Sequence, residues 1–314
     1  MVNRAEGIKG VAFTVTGIGE LLWDVFPSGK RLGGAPVNFA CHCGQLGAEA
    51  YPVSCIGRDA LGAEIKEVLA SLNVDSSYVT EDAKHPTGIV QVTLDANGKP
   101  SYEICEGVAW DVFPMSGTLG DLAQKADAVC FGSLAQRNVV SRATIRRFLK
   151  MMKPDSLKIF DVNLRQEFYS KEIIADSLAL CNVLKLSDEE LPVLAEMFGL
   201  SGSVQEQLDA LIKTFDLKLI AYTRGPDGSL LMAADEVSDH PGCPGDAVNS
   251  VGAGDSFTAT LCVGLLNKKP LTEINEQANR VATFVCSQDG ATPVLPSEIA
   301  EGKMKAKPAV GVVV

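Results

Sequence analysis

Asn249-Ser250-Val251-Gly252-Ala253-Gly254-Asp255-Ser256-Phe257 is a loop that opens into a helix, and its reading orders the rest of the chain. From Phe257 the apolar residues recur at Leu261 and Leu265, with Cys262 and Leu266 beside them, which is the spacing of a helix that buries one face. The Gly252-Ala253-Gly254 turn is small enough for another group to come close to the backbone. The first N–H groups of a helix lack internal partners and carry the positive end of its dipole, so this turn suits an anion. Asp255 lies inside the same turn. Two readings of it stand side by side: a carboxylate that favours the dipole, worth about 0.3–1 kcal/mol, or a base beside a phosphate site.

Upstream, strand and helix patterns alternate. Apolar runs at 10–18, 53–57, 128–132, 158–161, 183–186 and 217–223 read as buried strands. Helical patterns lie at 60–72, 141–152, 171–181 and 271–287. That rhythm predicts a mostly parallel sheet covered by helices on both faces. Ligands collect beyond the carboxyl ends of such strands. The candidates there are Ser133, Gln136 and Arg137; Asp161, Asn163 and Arg165; Lys185 and Ser187 to Glu190; and Thr223, Arg224 and Gly225. Glu20 and Asp24 follow the first strand, where carboxylates either bind polyol hydroxyls or face solvent. Gly33-Gly34-Ala35-Pro36 opens another helix, with Asn38 in its first turn. Two alternating runs flank Asp95-Ala96-Asn97-Gly98, a hairpin signal.

The chain has 314 residues, 46% hydrophobic and 21% charged, which is ample for a large core. Its formal charge is −11, with 28 basic against 39 acidic side chains and no basic cluster. Nucleic acid is therefore excluded as a partner. No stretch is long and apolar enough for a membrane span. Nine cysteines without a C-x-x-C pair read as small buried hydrophobes in a reducing compartment, and the expectation is a cytoplasmic protein. Cys41-His42-Cys43 is the one cluster, and its spacing does not suit zinc.

NSVGAGDSF resembles the second signature of the ribokinase (PfkB) family of sugar kinases, and Gly33-Gly34-Ala35-Pro36-Val37-Asn38-Phe39-Ala40 through Ile56-Gly57-Arg58-Asp59 resembles the first. The resemblance covers nearly the whole chain. It implies one ribokinase-like three-layer α/β domain over 1–314, with a small β-sheet lid inserted around 20–32 and 85–112. It further implies ATP-dependent transfer of the γ-phosphoryl group to a sugar primary hydroxyl. Asp255 would be the base, with Gly252, Ala253 and Gly254 donating N–H groups to the developing charge. Asp24, Gly33, Gly34, Asn38 and Arg165 would hold the sugar. Asn163, Lys185, Thr223, Gly225, Gly228 and Asn279 would hold the nucleotide. Glu190 would organise Mg²⁺ through water. Asn249, Val251, Ser287 and Gly290 lie where relatives enclose a monovalent cation, K⁺ being the candidate; Asn249 stands for the usual aspartate and removes one negative charge. The lid implies a homodimer, because apolar positions on a small exposed sheet invite covering.

Gly-Glu-Leu-Leu-Trp-Asp and Asp161-Val162-Asn163-Leu164-Arg165 are more similar to fructokinases, which make fructose 6-phosphate, than to ribokinases or adenosine kinases. Two positions depart from the pattern. Glu106 stands where such kinases usually carry arginine, which reverses the local charge, and Ser187 replaces an asparagine. Trp110 is read as packing against the lid. Neither G-x-G-x-x-G nor G-x-x-x-x-G-K-[ST] occurs, so dinucleotide and P-loop readings lack their motifs. A kinase of another sugar or sugar acid, or a non-catalytic sugar sensor on the same fold, stays open as the alternative.

Overall fold

The central strands are buried at nearly every position, and their successive side chains go alternately to two helical layers. The computed structural model describes residues 12–27, 29–94, 100–245 and 248–302. The first part of the chain runs β1 (Thr14–Ile18), β2 (Leu22–Phe26), β3 (Gly29–Gly33), α1 (Ala35–Gln45), β4 (Glu49–Gly57), α2 (Ala60–Ser71), β5 (Val79–Asp82), β6 (Gly88–Leu94) and β7 (Pro100–Ile104). The middle runs α3 (Gly117–Lys125), β8 (Ala128–Phe131), α4 (Val139–Met151), β9 (Leu157–Asp161), α5 (Lys171–Leu178), β10 (Val183–Ser187), α6 (Leu191–Phe198) and α7 (Val204–Phe215). Then come β11 (Leu219–Thr223), β12 (Ser229–Met232), β13 (Val237–His240), α8 (Ala253–Leu266), α9 (Leu271–Cys286) and the short α10 (Ser297–Ala300).

Nine strands form one sheet in the order β13-β12-β11-β10-β9-β8-β1-β4-β5. It is parallel from β11 to β5, and β12 and β13 add an antiparallel edge. Phe131 and Phe160, paired in register on β8 and β9, stack at 5.2 Å and pack with residues of α3 to α7. Their neighbours Cys130 and Ile159 point the other way, into a layer with Phe39 of α1, Phe257 and Leu261 of α8 and Ile274 of α9. This is the period of two expected of strands buried on both faces, and it yields the three layers expected from the sequence. α8 and α9 therefore enter the fold as cover for one face, which brings the start of α8 to the carboxyl ends of β9 and β10.

β2, β3, β6 and β7 make a second sheet in the order β3-β2-β6-β7. It joins the 20–32 and 85–112 segments as the lid. The turn expected at Asp95 to Gly98 lies outside the described residues, as do Gly10 and Val11 at the start of the first expected strand. The lid's apolar residues are covered within the chain: Leu22, Val90, Val92 and Ile104 join the main core, and Trp23, Val25, Leu32 and Ile89 join a cluster with α1 and α2. None of the exposed large hydrophobics among the described residues belongs to this sheet, while Val25, Phe26, Leu32 and Ile89 are partly buried.

Trp110 is fully buried in the same core, with the Arg137 guanidinium 4.2 Å from its ring centroid, so it packs and does not stack on a ligand. The nine cysteines are free. No group of three or more His, Cys, Asp or Glu among the described residues could hold a metal. No helix among them is long and apolar enough to cross a membrane.

Candidate active site

The two glycine-rich segments meet. Asn38, in the first half of α1, donates from Nδ2 to Asp255 Oδ2 at 2.8 Å across 217 residues of sequence. α1 is buried along most of its length, Pro36 to Cys43, because it lies between the sheet and α8. Asn38 is thus a buried polar residue that must find a partner, and the partner is the proposed base.

α8 begins at Gly252, whose φ of +78° is left-handed, and no side chain caps the helix. A Cβ at Gly252 would fall 2.4 Å from the Ala291 carbonyl oxygen, so only glycine fits there. Ala253 N donates to Ser250 O at 3.3 Å, and the remaining N–H groups of this helix start are the ones available to an anion. Behind it, Lys185 in the middle of β10 is buried and paired with Asp161 at 3.0 Å, and its Nζ would lie 3.1 Å from a Cβ placed on Gly254. Thr258 donates to the other oxygen of Asp161 at 3.3 Å. Burial pushes Asp161 up to about 6 against the pull of Lys185. Burial would lower Lys185, but Asp161 and Glu190 outweigh it and raise the ammonium. The pair is ionised at neutral pH. Lys185 is therefore a charge held under the turn by Asp161.

Burial likewise raises Asp255, against the combined pull of Asn38, Lys185 and Arg165. A carboxylate poised above its ordinary range is a better proton acceptor. Asp24, on β2, is raised to about 6 by burial, with Arg165 pulling it down. Its Oδ2 would lie 2.4 Å from a Cβ on Gly33, so that glycine leaves room for the carboxylate. Gly34 is the N-cap of α1. Arg165 is exposed and touches Leu164 O at 3.0 Å, yet its charge acts on Glu20, Asp24 and Asp255 together. The structure thus gathers Asp24, Gly33, Gly34, Asn38, Arg165, Asp255 and the Gly252-Ala253-Gly254 turn.

Two more residues belong to this cluster: Glu20, which the sequence offered beside Asp24 as a hydroxyl-binding carboxylate, and His42, which it did not. Glu20 is buried with Oε2 lacking a partner; burial first, then Asp255, lift it to about 7. Its place beside Asp24 was the available signal. His42 was read only within its cysteine pair, although its spacing of four from Asn38 puts both on one helix face.

The nucleotide-side residues are differently placed. Asn163 has a φ of +43° and sits in the turn that brings Arg165 back. Glu190 accepts from Leu164 N at 2.9 Å and Ser187 N at 2.8 Å, while Ser187 Oγ accepts from Glu190 N. This reciprocal pair is of the capping-box kind, and it explains why serine serves where relatives have asparagine. Asn279 donates to Ser229 Oγ and Asn275 O, each at 2.8 Å, so its amide nitrogen is committed inside the protein. Thr223, Gly225 and Gly228 form the turn from β11 into β12, with both glycines at positive φ.

Around the expected cation position the side chains are engaged with the protein itself. Asn249 donates to Gln288 O at 2.8 Å and accepts from Val251 N at 3.0 Å. Ser287 donates to Phe284 O and accepts from Gln288. Asp289, the loop's one carboxylate, is paired with Arg31 of the lid at 2.9 Å. The loops are joined by their own hydrogen bonds, and Gly290 completes the turn at a φ of +85°.

The pattern of the family described as pfkB family carbohydrate kinase matches residues 19–298. An uncharacterized sugar kinase of Pyrococcus horikoshii is 32% identical over 271 residues, 83% of each chain. Its structure in complex with ATP has a TM-score of 0.75, covering 89% of this chain and 94% of that one at 31% identity. A fructokinase of Klebsiella pneumoniae is 30% identical over 260 residues, 79% of this chain and 83% of that one. The fructokinase of Xylella fastidiosa shares the fold, with a TM-score of 0.80 at 19% identity, covering 92% of this chain and 97% of that one. With both glycine segments meeting at one carboxylate and the family pattern spanning most of the sequence, the chain belongs to the PfkB family of carbohydrate kinases.

Proposed function

We propose that the protein transfers the γ-phosphoryl group of ATP to the primary hydroxyl of a sugar, fructose being the first candidate and fructose 6-phosphate its product. The observation that carries this reading is the Asn38–Asp255 hydrogen bond of 2.8 Å at the uncapped start of α8. It sets a base, an anion-binding turn and a hydroxyl-binding side chain at one point. ATP use is supported by the ATP complex of the Pyrococcus relative, and fructose by the Klebsiella fructokinase.

Asp24 and Asn38 hold the sugar hydroxyls, with Gly33 and Gly34 leaving room for it. Asp255 takes the proton of the attacking hydroxyl, a role worth about 10²–10⁴-fold. The new oxygen–phosphorus bond forms as the bond to the ADP oxygen breaks, and the proton stays on Asp255 until solvent takes it. The Gly252-Ala253-Gly254 N–H groups meet the negative charge on the transferred group, supported from below by Lys185. Arg165 faces the same charge from the other side. Thr223, Gly225 and Gly228 provide a turn against which the nucleotide lies. Mg²⁺ brought with ATP would supply further charge neutralisation, and Glu190 would be the side chain that orders it through water.

A second reading, a kinase of another sugar, is favoured by Glu106. This residue lines a cleft of about 330 Å³ with Asp111, Arg137 and Tyr169, and the Arg137 charge there is already taken up by Asp111 at 2.8 Å. ADP release should be measured with Mg-ATP against ketoses, aldoses, sugar acids and nucleosides. Selectivity for fructose supports the first reading, and selectivity for another sugar supports the second. Silence across the panel with sugar binding retained would overturn both in favour of a non-catalytic member.

A further inference from the structure

His42 lies one helical turn after Asn38 on the same face of α1 and is completely buried. Its Nε2 is 2.9 Å from the Ala291 carbonyl oxygen. A carbonyl only accepts, so Nε2 carries the proton and Nδ1 is the bare nitrogen. Nδ1 has no partner. An unpartnered buried acceptor is costly, and an alanine or leucine at this helix position would avoid it. The Ala291 peptide held by this bond is the surface on which Gly252 rests: a Cβ at Gly252 would come within 2.4 Å of Ala291 O and 2.7 Å of its Cα. One face of α1 thus reaches both parts of the α8 start, with Asn38 on the carboxylate and His42 on the wall behind the glycine turn.

We infer that His42 is a positioning residue for phosphoryl transfer, which fixes the Gly252 turn in its anion-binding geometry through the Ala291 carbonyl. This rests on the reading of that turn and of Asp255 given above. Burial holds the imidazole below its ordinary pKa, against the pulls of Ala291 and Asp255, which keeps the ring neutral and the tautomer single. A neutral donor secures the turn without adding a second fixed cation next to the base. A small shift of a phosphate-binding turn is enough to cost about 10²-fold in rate, so the effect should appear in turnover more than in binding.

His42→Gln keeps a donor of similar reach, His42→Asn shortens it by one methylene, and His42→Phe fills the volume without a donor. The expected result is a kcat near wild type for His42→Gln and about tenfold or more lower for the other two, with KM for sugar within about twofold. Thermal midpoints, read alongside, separate this from a packing role. Equal kcat in His42→Gln and His42→Asn, or a loss of kcat that simply follows the thermal midpoint in all three, overturns the inference. His42→Gln and His42→Asn are both small polar replacements, so their comparison decides even where His42→Phe does not fold. Asp255→Asn is run in parallel. If it turns over normally, the reading of the site has failed; if it is inactive while all three His42 variants behave as wild type, only the role of His42 has failed.

Discussion

The acceptor side and the nucleotide side of the cleft are built from the same kinds of residue but hold them in opposite states. On the acceptor side Glu20, Asp24 and Asp255 are carboxylates pushed above their ordinary range, chiefly by burial. Glu20 Oε2 and Asn38 Oδ1 are buried without partners. On the nucleotide side Lys185, Glu190, Asn249 and the Asn279 amide nitrogen are hydrogen-bonded within the protein, and the buried atom without a partner there is Arg224 Nε, a donor and not an acceptor. Buried polar groups are normally satisfied, so leftover hydrogen-bonding capacity marks where a ligand's hydroxyls belong. The nucleotide side works through backbone turns and fixed charge. Substitutions on the two sides should therefore fail differently.

Apart from the base itself, the largest effect should come from the turn that serves both sides. Gly252→Val forces a side chain into a left-handed backbone and onto Ala291. We expect kcat to fall by about 10²–10³ with sugar binding retained, as read by steady-state kinetics and calorimetry.

Glu20→Gln sharpens the acceptor side. A carboxyl raised from 4.5 to about 7 in the fold stabilises the protein fully below pH 4.5 and progressively less as pH rises through 7. The total loss is about 3 kcal/mol. Thermal midpoints measured between pH 5 and 8, roughly the window of that titration, should fall with rising pH in wild type and fall less in the variant. Parallel curves would remove Glu20 as an uncompensated buried acid.

Asn279→Ala probes the nucleotide side. It deletes donors to Ser229 and Asn275, so stability should drop by about 1–3 kcal/mol while KM for ATP stays nearly constant. A large rise in KM with unchanged stability would return Asn279 to a ligand role. The smallest effect concerns the cation. Exchanging K⁺ for Na⁺ at constant ionic strength should change the rate by less than about twofold, because Asn249 already joins the two loops. Strong K⁺ activation would contradict that.

Periodicity and glycine spacing made much of this architecture legible. Alternating apolar strands and helices predicted the parallel sheet and its two covered faces, and the NSVGAGDSF stretch located the start of α8. What spacing could not give was which side chains would be left free. Lys185 lies within β10 and Glu190 just beyond it, and their partners are an aspartate one strand away and the backbone N–H groups of Leu164 and Ser187. His42 was visible as part of a Cys-His-Cys run, and its more telling relation was to Asn38, four residues earlier. The lid hairpin was readable from alternation; the burial of its apolar side chains depends on α2 and the main core, which lie far off in sequence.

The central claim is that Asp255 removes the proton of the acceptor hydroxyl. Asp255→Asn keeps the size of the side chain and removes the base. Turnover with the best sugar and sugar affinity by calorimetry should be measured on the same preparation. We predict a kcat lower by about 10²–10⁴, with the sugar still bound at near wild-type affinity and the fold intact. Near-normal turnover would contradict the account and leave Asp255 as a helix-terminal charge.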